Sequence, residues 1–326
     1  MKDHSPKRNE TALRNSVVFS LVACGAVAAL VLGSTLGAGV AQAAAPGGVL
    51  AWGQIDYGKT AVPAAAASGV TEISAGGLNG LALKNGTVLS WGDNHYGQLN
   101  VPAAAAAGVT AVESGWAHEL ALKNGAVLAW GNNWYGQLAI PAALSSGVSA
   151  ISTSNFHSLA LKQGNVISWG SRSDVPAAAT SGVTAISAGG DHNLALKDGG
   201  VLAWGSNRFG QATVPAAATS GVTAISAGFQ HSLALKDGGV IAWGDNTSAQ
   251  LDMPAEVSSG VVAIDAGYKH NLALKSDGTV WAWGGSADGS ESIVPSNACA
   301  PLLGVSAGSQ LSLALRDPAS APCPGF

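Results

Sequence analysis

The sequence predicts an all-β fold: a seven-bladed β-propeller closed by pairing of its N- and C-terminal strands. Three observations lead there. A Trp-Gly pair recurs at Trp52, Trp91, Trp130, Trp169, Trp204, Trp243 and Trp283, at intervals of 39, 39, 39, 35, 39 and 40 residues. A Leu-Ala-Leu element keeps step with it, starting at Leu81, Leu120, Leu159, Leu194, Leu233, Leu272 and Leu313. Such a period, with several strands per unit, marks blades that must stack on their neighbours to bury their faces. Finally, only 10% of the 326 residues are charged and 44 are Gly. That composition is too apolar for disorder and suits a turn-rich β protein.

The first 43 residues differ from the rest. Lys2, Lys7, Arg8 and Arg14 give a basic start, Val17 to Leu32 is almost unbroken apolar sequence, and Ala41-Gln42-Ala43 is a small-x-small site. This is the pattern of a secretory signal peptide. The expected division is a leader over 1–43 and a propeller over 44–326, with a secreted, extracellular product. No twin-Arg pair is present, so the general export route is expected. An uncleaved anchor is the alternative, because the apolar run is nearly long enough to span a bilayer. Leu21-Val22-Ala23-Cys24 resembles a lipoprotein signal, but apolar residues continue past the Cys.

Of the 15 basic and 19 acidic side chains, four and two fall in the leader, leaving 11 and 17 and a formal charge of −6. That argues against a nucleic-acid partner, which needs a basic footprint, and none is expected. Removal of Cys24 leaves Cys299 and Cys323, which in an exported chain are expected to form a disulfide. Closing a loop of that size contributes about 3.5 kcal/mol in the chain-entropy account. No His or acidic cluster nearby supports a metal-binding pair.

Within one unit the strands are legible. Residues 222–227, VTAISA, alternate up to Gly228, and 232–236, SLALK, alternate again. Asp237-Gly238-Gly239 supplies the positive φ of a tight hairpin, and 240–243, VIAW, follow as a third strand. The run from Gly244 to Pro254 crosses to the next unit and has room for a short outer strand. Small Ala, Ser and Gly alternating with Leu, Ile and Trp suit blades crowded toward an axis. The chain opens on Val49-Leu50-Ala51-Trp52 with no Leu-Ala-Leu strand before it. It closes on Leu313-Ala314-Leu315-Arg316 with no Trp-Gly strand after it. Pairing the two completes a ring without long free edges.

The phrases VPAAATSGVTAISAG at 214–228, HSLALKDGG at 231–239 and VIAWGDN at 240–246 resemble the regulator of chromosome condensation repeat. The resemblance covers residues 47 to about 317 and implies a seven-bladed propeller. Within that family the phrasing is similar to secreted bacterial inhibitors of the beta-lactamase inhibitory protein II type. That likeness implies a non-covalent inhibitor, whose rim aromatics and acidic rim residues cover a β-lactamase active site. It implies a protein partner: a class A β-lactamase or a penicillin-binding protein. Nucleotide exchange on a small GTPase, the activity of the eukaryotic namesake, is disfavoured by the export signal.

Function is expected at one end of the ring. The two residues before the His position and the run after Trp-Gly share an end; the Lys-Asp-Gly-Gly turns lie opposite and hardly vary. The variable end collects aromatics. Trp116, Phe156, Phe229 and Tyr268 come from the residue pairs, and Tyr57, Tyr96, Trp134, Tyr135 and Phe209 from the runs after Trp-Gly. Exposed Trp and Tyr anchor protein interfaces. Tyr57, Tyr96, Tyr135 and Phe209 precede a recurrent Gly-Gln or Gly-Lys and can equally be framework. Trp116, Trp134, Phe156, Phe229 and Tyr268 occupy positions that elsewhere hold Gly, Ala, Asp, His or Arg, which favours binding. Asp56, Asp93, Asp191 and Asp245 are the acidic rim candidates.

Trp-Gly to Pro spans 11 residues in most units but 7 in WGSRSDVP at 169–176. A notch is expected between blades three and four, beside Gly190 and Asp191. His118, His157, His192, His231 and His270 recur two residues before Leu-Ala-Leu, with Asn79 and Leu311 in two units. Ligands on separate blades cannot converge on one metal, so a structural His bonded to neighbouring backbone is expected. His95 stands alone in a loop. No metal or cofactor is expected.

Enzyme signatures fail. His118-Glu119 lacks the second His of a zinc helix, and no Gly-x-Ser-x-Gly elbow occurs. Ser276 to Trp281 resembles an Asp-box only faintly and reads as a hairpin. The expectation is a monomeric, non-enzymatic binding propeller, with a carbohydrate or cell-wall binding module as the alternative. Membrane contact is expected only through an uncleaved leader.

Overall fold

The computed structural model describes residues 47–171, 173–298 and 301–317. The leader and both Cys299 and Cys323 lie outside the described residues. Seven three-stranded antiparallel sheets make up the ring. Blades 1 to 6 span 70–92, 109–131, 148–170, 183–205, 222–244 and 261–284. Blade 7 joins Leu302–Ala307 and Leu311–Arg316 to Val49–Gly53, with Val49 opposite Leu315 and Gly53 opposite Leu311. The ring closes as its terminal sequence elements predict.

Blade 5 shows why the repeat folds this way. Its strands are Val222–Ala227, His231–Lys236 and Gly239–Gly244. Asp237 and Gly238 take φ of 51° and 75°, the two positive values of a hairpin turn whose twist matches the strands. The inner strand carries one bulge, between Val222 and Ala224, which adds local twist. The core lies between blades. One cluster joins Leu194, Leu196 and Val201 of blade 4 to Val222, Ile225 and Trp243 of blade 5. A blade's two faces are therefore both apolar, and neither would be stable alone.

The crossing segment departs from the sequence expectation. Among the described residues it holds no outer strand. A short 3-10 helix follows the crossing proline after Pro63, Pro102, Pro141, Pro176, Pro215 and Pro254, as at Ala216–Ala218, while in the seventh crossing the helix Ser290–Ser292 comes before Pro295. Pro lacks the N–H that a ladder needs. The last Lys of the middle strand clamps the helix instead: Lys236 Nζ donates to the Ala217 carbonyl at 3.1 Å, and Lys84, Lys123, Lys162, Lys197 and Lys275 do the same in their blades.

Polar rings stitch neighbouring blades. The side-chain oxygen of Ser74 accepts the backbone N–H of Ser114 at 2.9 Å. Ser152, Ser187, Ser226, Asp265 and Ser306 accept the matching amide of the next blade. The histidines form a second ring. The Nε2 atoms of His118, His157, His192, His231 and His270 pair with Ser158, Asn193, Ser232, Asn271 and Ser312 at 2.6–2.9 Å. They are structural, but the partner is a side chain of the next blade rather than backbone. Burial pushes His118 and His192 down to about 3, and His231 and His270 down to about 4. All four are neutral at physiological pH.

Candidate protein-binding rim

The nine rim aromatics fall on one end of the ring but do not form one patch. Tyr96 lies 5.5 Å from Trp116 and meets Trp134 edge-on at 5.0 Å, ring centre to ring centre. His95 packs edge-on against Tyr96 at 4.8 Å, so it is not isolated. Tyr135, next to Trp134 in the chain, lies 4.8 Å from Phe156. These residues make a continuous arc over blades 1 to 3. Phe229 and Tyr268 form a separate pair on blades 5 and 6, stacked at 4.0 Å and 16°. Phe209 stands with Arg208, whose guanidinium sits 5.7 Å from the ring centre. Tyr57 is 66% exposed and Trp134 69%.

Two glycines shape these groups. A side chain at Gly77 would run into the Trp116 ring, and one at Gly190 would run into the Phe229 ring. Each aromatic lies over the turn of the preceding blade, in space that Gly leaves open.

The runs after Trp-Gly separate backbone from side chain. Gln98, Gln137 and Gln211 each accept the backbone N–H of Tyr96, Tyr135 and Phe209 at 2.8 Å. Ser248, with no aromatic ring, makes the same bond to Gln250. The loop geometry therefore requires the Gln, not the ring, and Tyr135 and Phe209 present their rings to solvent. The acidic candidates divide likewise. Asp245 is buried and accepts from Gln250 and Thr247, and Asp93 accepts from Gln98. Asp245 is thus a loop clamp, not a contact residue. Asp56 is exposed and Asp191 half-buried. Asp277 bonds Thr279 in the hairpin read from the sequence.

The shortened loop has a consequence one blade on. The Gln position caps the Trp of the next blade: Trp130, Trp169, Trp243 and Trp283 donate Nε1–H to the carbonyls of Gln98, Gln137, Gln211 and Gln250. Lys59 and Glu291 serve Trp91 and Trp52. The loop at 170–176 lacks that residue, and Trp204 Nε1 is buried without a partner among the described residues.

At the centre of the rim lies an open funnel to which all seven blades contribute. Trp116, Phe229 and Tyr268 stand at its mouth, and Glu113 and Ser114 line its wall. Sequence reasoning missed these last two. The available signal was position 113, which holds Glu where the other units have Ser or Asp. Burial pushes Glu72 and Glu119 up to about 8 and Glu113 well above the usual carboxylate range. Among the described residues no three His, Cys, Asp or Glu side chains gather closely enough to hold a metal ion.

The Regulator of chromosome condensation (RCC1) repeat matches residues 70–98, 183–211, 222–250 and 261–290. The fold is similar to Prp20p from Saccharomyces cerevisiae, with a TM-score of 0.66 at 19% identity, over 84% of this chain and 92% of that one. Yeast RCC1 (Prp20), in a structure with Kap60, gives 0.69 at 18% over 98% and 97%. Human WBSCR16 gives 0.61 at 19% over 83% and 99%. No curated protein matches the chain. Repeat and architecture together define the class: a seven-bladed propeller, four of whose units match the RCC1 repeat.

Proposed function

We propose that this chain is an exported propeller that binds another protein through its aromatic rim and acts by occlusion, with no catalytic step. The arc from Tyr96 through Trp116, Trp134 and Tyr135 to Phe156 carries the reading. Interlocked, part-exposed Trp and Tyr rings are the composition of interface hot spots. Mutual packing also restrains the rings before binding, which lowers the entropic cost of association. Prp20p, a structural neighbour, was described with its binding to Gsp1p and histones, and yeast RCC1 (Prp20) with bound Kap60. Both give precedent for protein partners on this architecture.

The partner proposed is a class A β-lactamase, or a related cell-wall enzyme such as a penicillin-binding protein, whose active site the rim covers. The resemblance of the repeats to secreted inhibitors supports this choice, and the leader at 1–43 supports export of the propeller at 44–326. The test is inhibition of a panel of class A β-lactamases by the purified protein, beside a Trp116→Ala/Phe229→Ala variant. Inhibition that disappears in the variant is expected. No inhibition at micromolar protein refutes the β-lactamase target. Competition by soluble cell-wall glycan for the rim would transfer the site to carbohydrate recognition.

A further inference from the structure

We propose that the central funnel is a binding site for an organic cation, with an ammonium or guanidinium group held by Glu113 beneath a collar of Trp116, Phe229 and Tyr268. The site shares Trp116 and Phe229 with the proposed protein-binding rim, but its test reads cation binding and not what the rim binds.

The argument begins with a broken ring. In six blades the position of Glu113 holds Ser74, Ser152, Ser187, Ser226, Asp265 or Ser306, and each oxygen accepts the next blade's amide. Among the described residues Glu113 makes no such bond. Of the seven positions it alone reaches the funnel wall. Its side chain is 1% exposed, and its Oε1 is buried without a hydrogen-bond partner among the described residues. A buried carboxyl oxygen that no donor satisfies costs far more than an exposed one. Six blades show that a serine or aspartate suffices to hold the ring, so packing alone does not call for a glutamate.

The surroundings specify the missing partner. Among the described residues no Lys or Arg lines the funnel. Glu72, Glu119 and Asp265 lie near enough to act on Glu113, so its titratable neighbours are acidic and none of them offers it a countercharge. Burial pushes the Glu113 carboxyl toward its neutral form, and a bound cation would supply the absent countercharge. The inner strand runs toward the rim, which places Glu113 deeper than Trp116, three residues later. Aromatic faces above a carboxylate are the chemistry that recognises ammonium and guanidinium groups. Glycines fill much of the wall, leaving an opening suited to a slender alkyl stem.

The test is calorimetric titration of the purified protein with n-butylammonium and n-butylguanidinium, with n-pentanol as the neutral control. Saturable binding of both cations and none of pentanol is expected. Glu113→Gln keeps the side-chain shape and should weaken cation binding by about tenfold or more. Its thermal unfolding should match or exceed that of the parent, which separates a lost charge from a lost fold. Trp116→Ala should also weaken binding. Spermidine and a lysine-bearing peptide form separate arms, and the tighter of the two identifies a free amine or a protein side chain as the source. Pentanol binding as tightly as butylammonium overturns the site, as does unchanged binding by Glu113→Gln. Such a failure would leave rim-dependent inhibition untouched. Saturable cation binding without any inhibition would remove only the rim reading.

Discussion

The indole of Trp116 lies across Gly77, occupying the space a side chain at position 77 would need. One blade thus supplies the ring and its neighbour supplies the vacancy. Gly77→Ala should displace Trp116 and destabilise the protein by about 1–3 kcal/mol, the range for overpacking a tight contact. The Cβ would also crowd the Trp116 carbonyl and Cα. In a Trp116→Ala background the penalty should therefore shrink without vanishing. Urea melts of the two single variants and the double variant measure this, and an undiminished penalty in the double would show that the ring is not the obstacle.

Trp204 and Trp243 occupy equivalent positions with unequal partners. Trp243 donates to the Gln211 carbonyl at 2.9 Å, whereas Trp204 Nε1 has no acceptor among the described residues. Replacing each with Phe removes similar packing but only one hydrogen bond. Trp243→Phe should cost about 1 kcal/mol more than Trp204→Phe. Lengthening the loop at 170–176 to the usual span, with Gln at the capping position, should stabilise the parent by about 1 kcal/mol or more. Equal losses in the two Phe variants would mean the indole bond contributes nothing measurable.

The strands, hairpins and closure could be read from sequence because their determinants are local. Val222 to Ala227 alternates, Asp237-Gly238 turns, and Val49 to Trp52 lacks a partner until the last strand provides one. The 3-10 helix at Ala216–Ala218 was not legible, because alanines after a proline suit several conformations and the clamp comes from Lys236, 19 residues away. The role of His231 was half legible. Its burial follows from the repeat, but its partner Asn271 lies 40 residues on, in another blade. Grouping of the aromatics was not legible at all. The four-residue deletion was visible, but its effect on Trp204 depends on a carbonyl normally supplied 32 residues upstream, as Gln211 does for Trp243.

The histidine ring makes its own prediction at the one junction where it becomes apolar. Leu311 faces the blade that carries Gly80 at the position of Asn271, and the Trp91 ring fills the space at Gly80. Polar and apolar junctions are therefore alternative solutions, and mixing them should be costly. His231→Leu leaves the Asn271 Oδ1 buried without its donor and should cost about 2–4 kcal/mol. Adding Asn271→Gly should recover part of that loss, with a coupling energy of about 1 kcal/mol or more in a double-mutant cycle. Strictly additive losses would mean that the two residues do not act as a pair.

Stability should peak near pH 6.5 and fall on both sides. Burial pushes the carboxyls of Glu72 and Glu119 up to about 8, so the fold keeps them protonated where the unfolded chain has already released its protons. Their contribution is complete below the ordinary carboxylate range and is lost as pH rises toward 8, at up to about 1.4 kcal/mol per pH unit for each group. The four buried histidines act in the opposite sense. Held down at about 3 to 4, they stay neutral while the unfolded chain takes up protons below its ordinary His range, so their contribution is lost as pH falls from 6.5. Four such groups outweigh the carboxyls on the acid side. Glu119→Gln keeps a neutral, hydrogen-bonding side chain beside Asn79 and Ser114 and no longer titrates. It should unfold like the parent at pH 5, lose less stability than the parent between pH 6.5 and 8, and be the more stable of the two at pH 8. Urea melts at those three pH values measure the limb, and a parallel decline of parent and variant would place the alkaline loss on other groups.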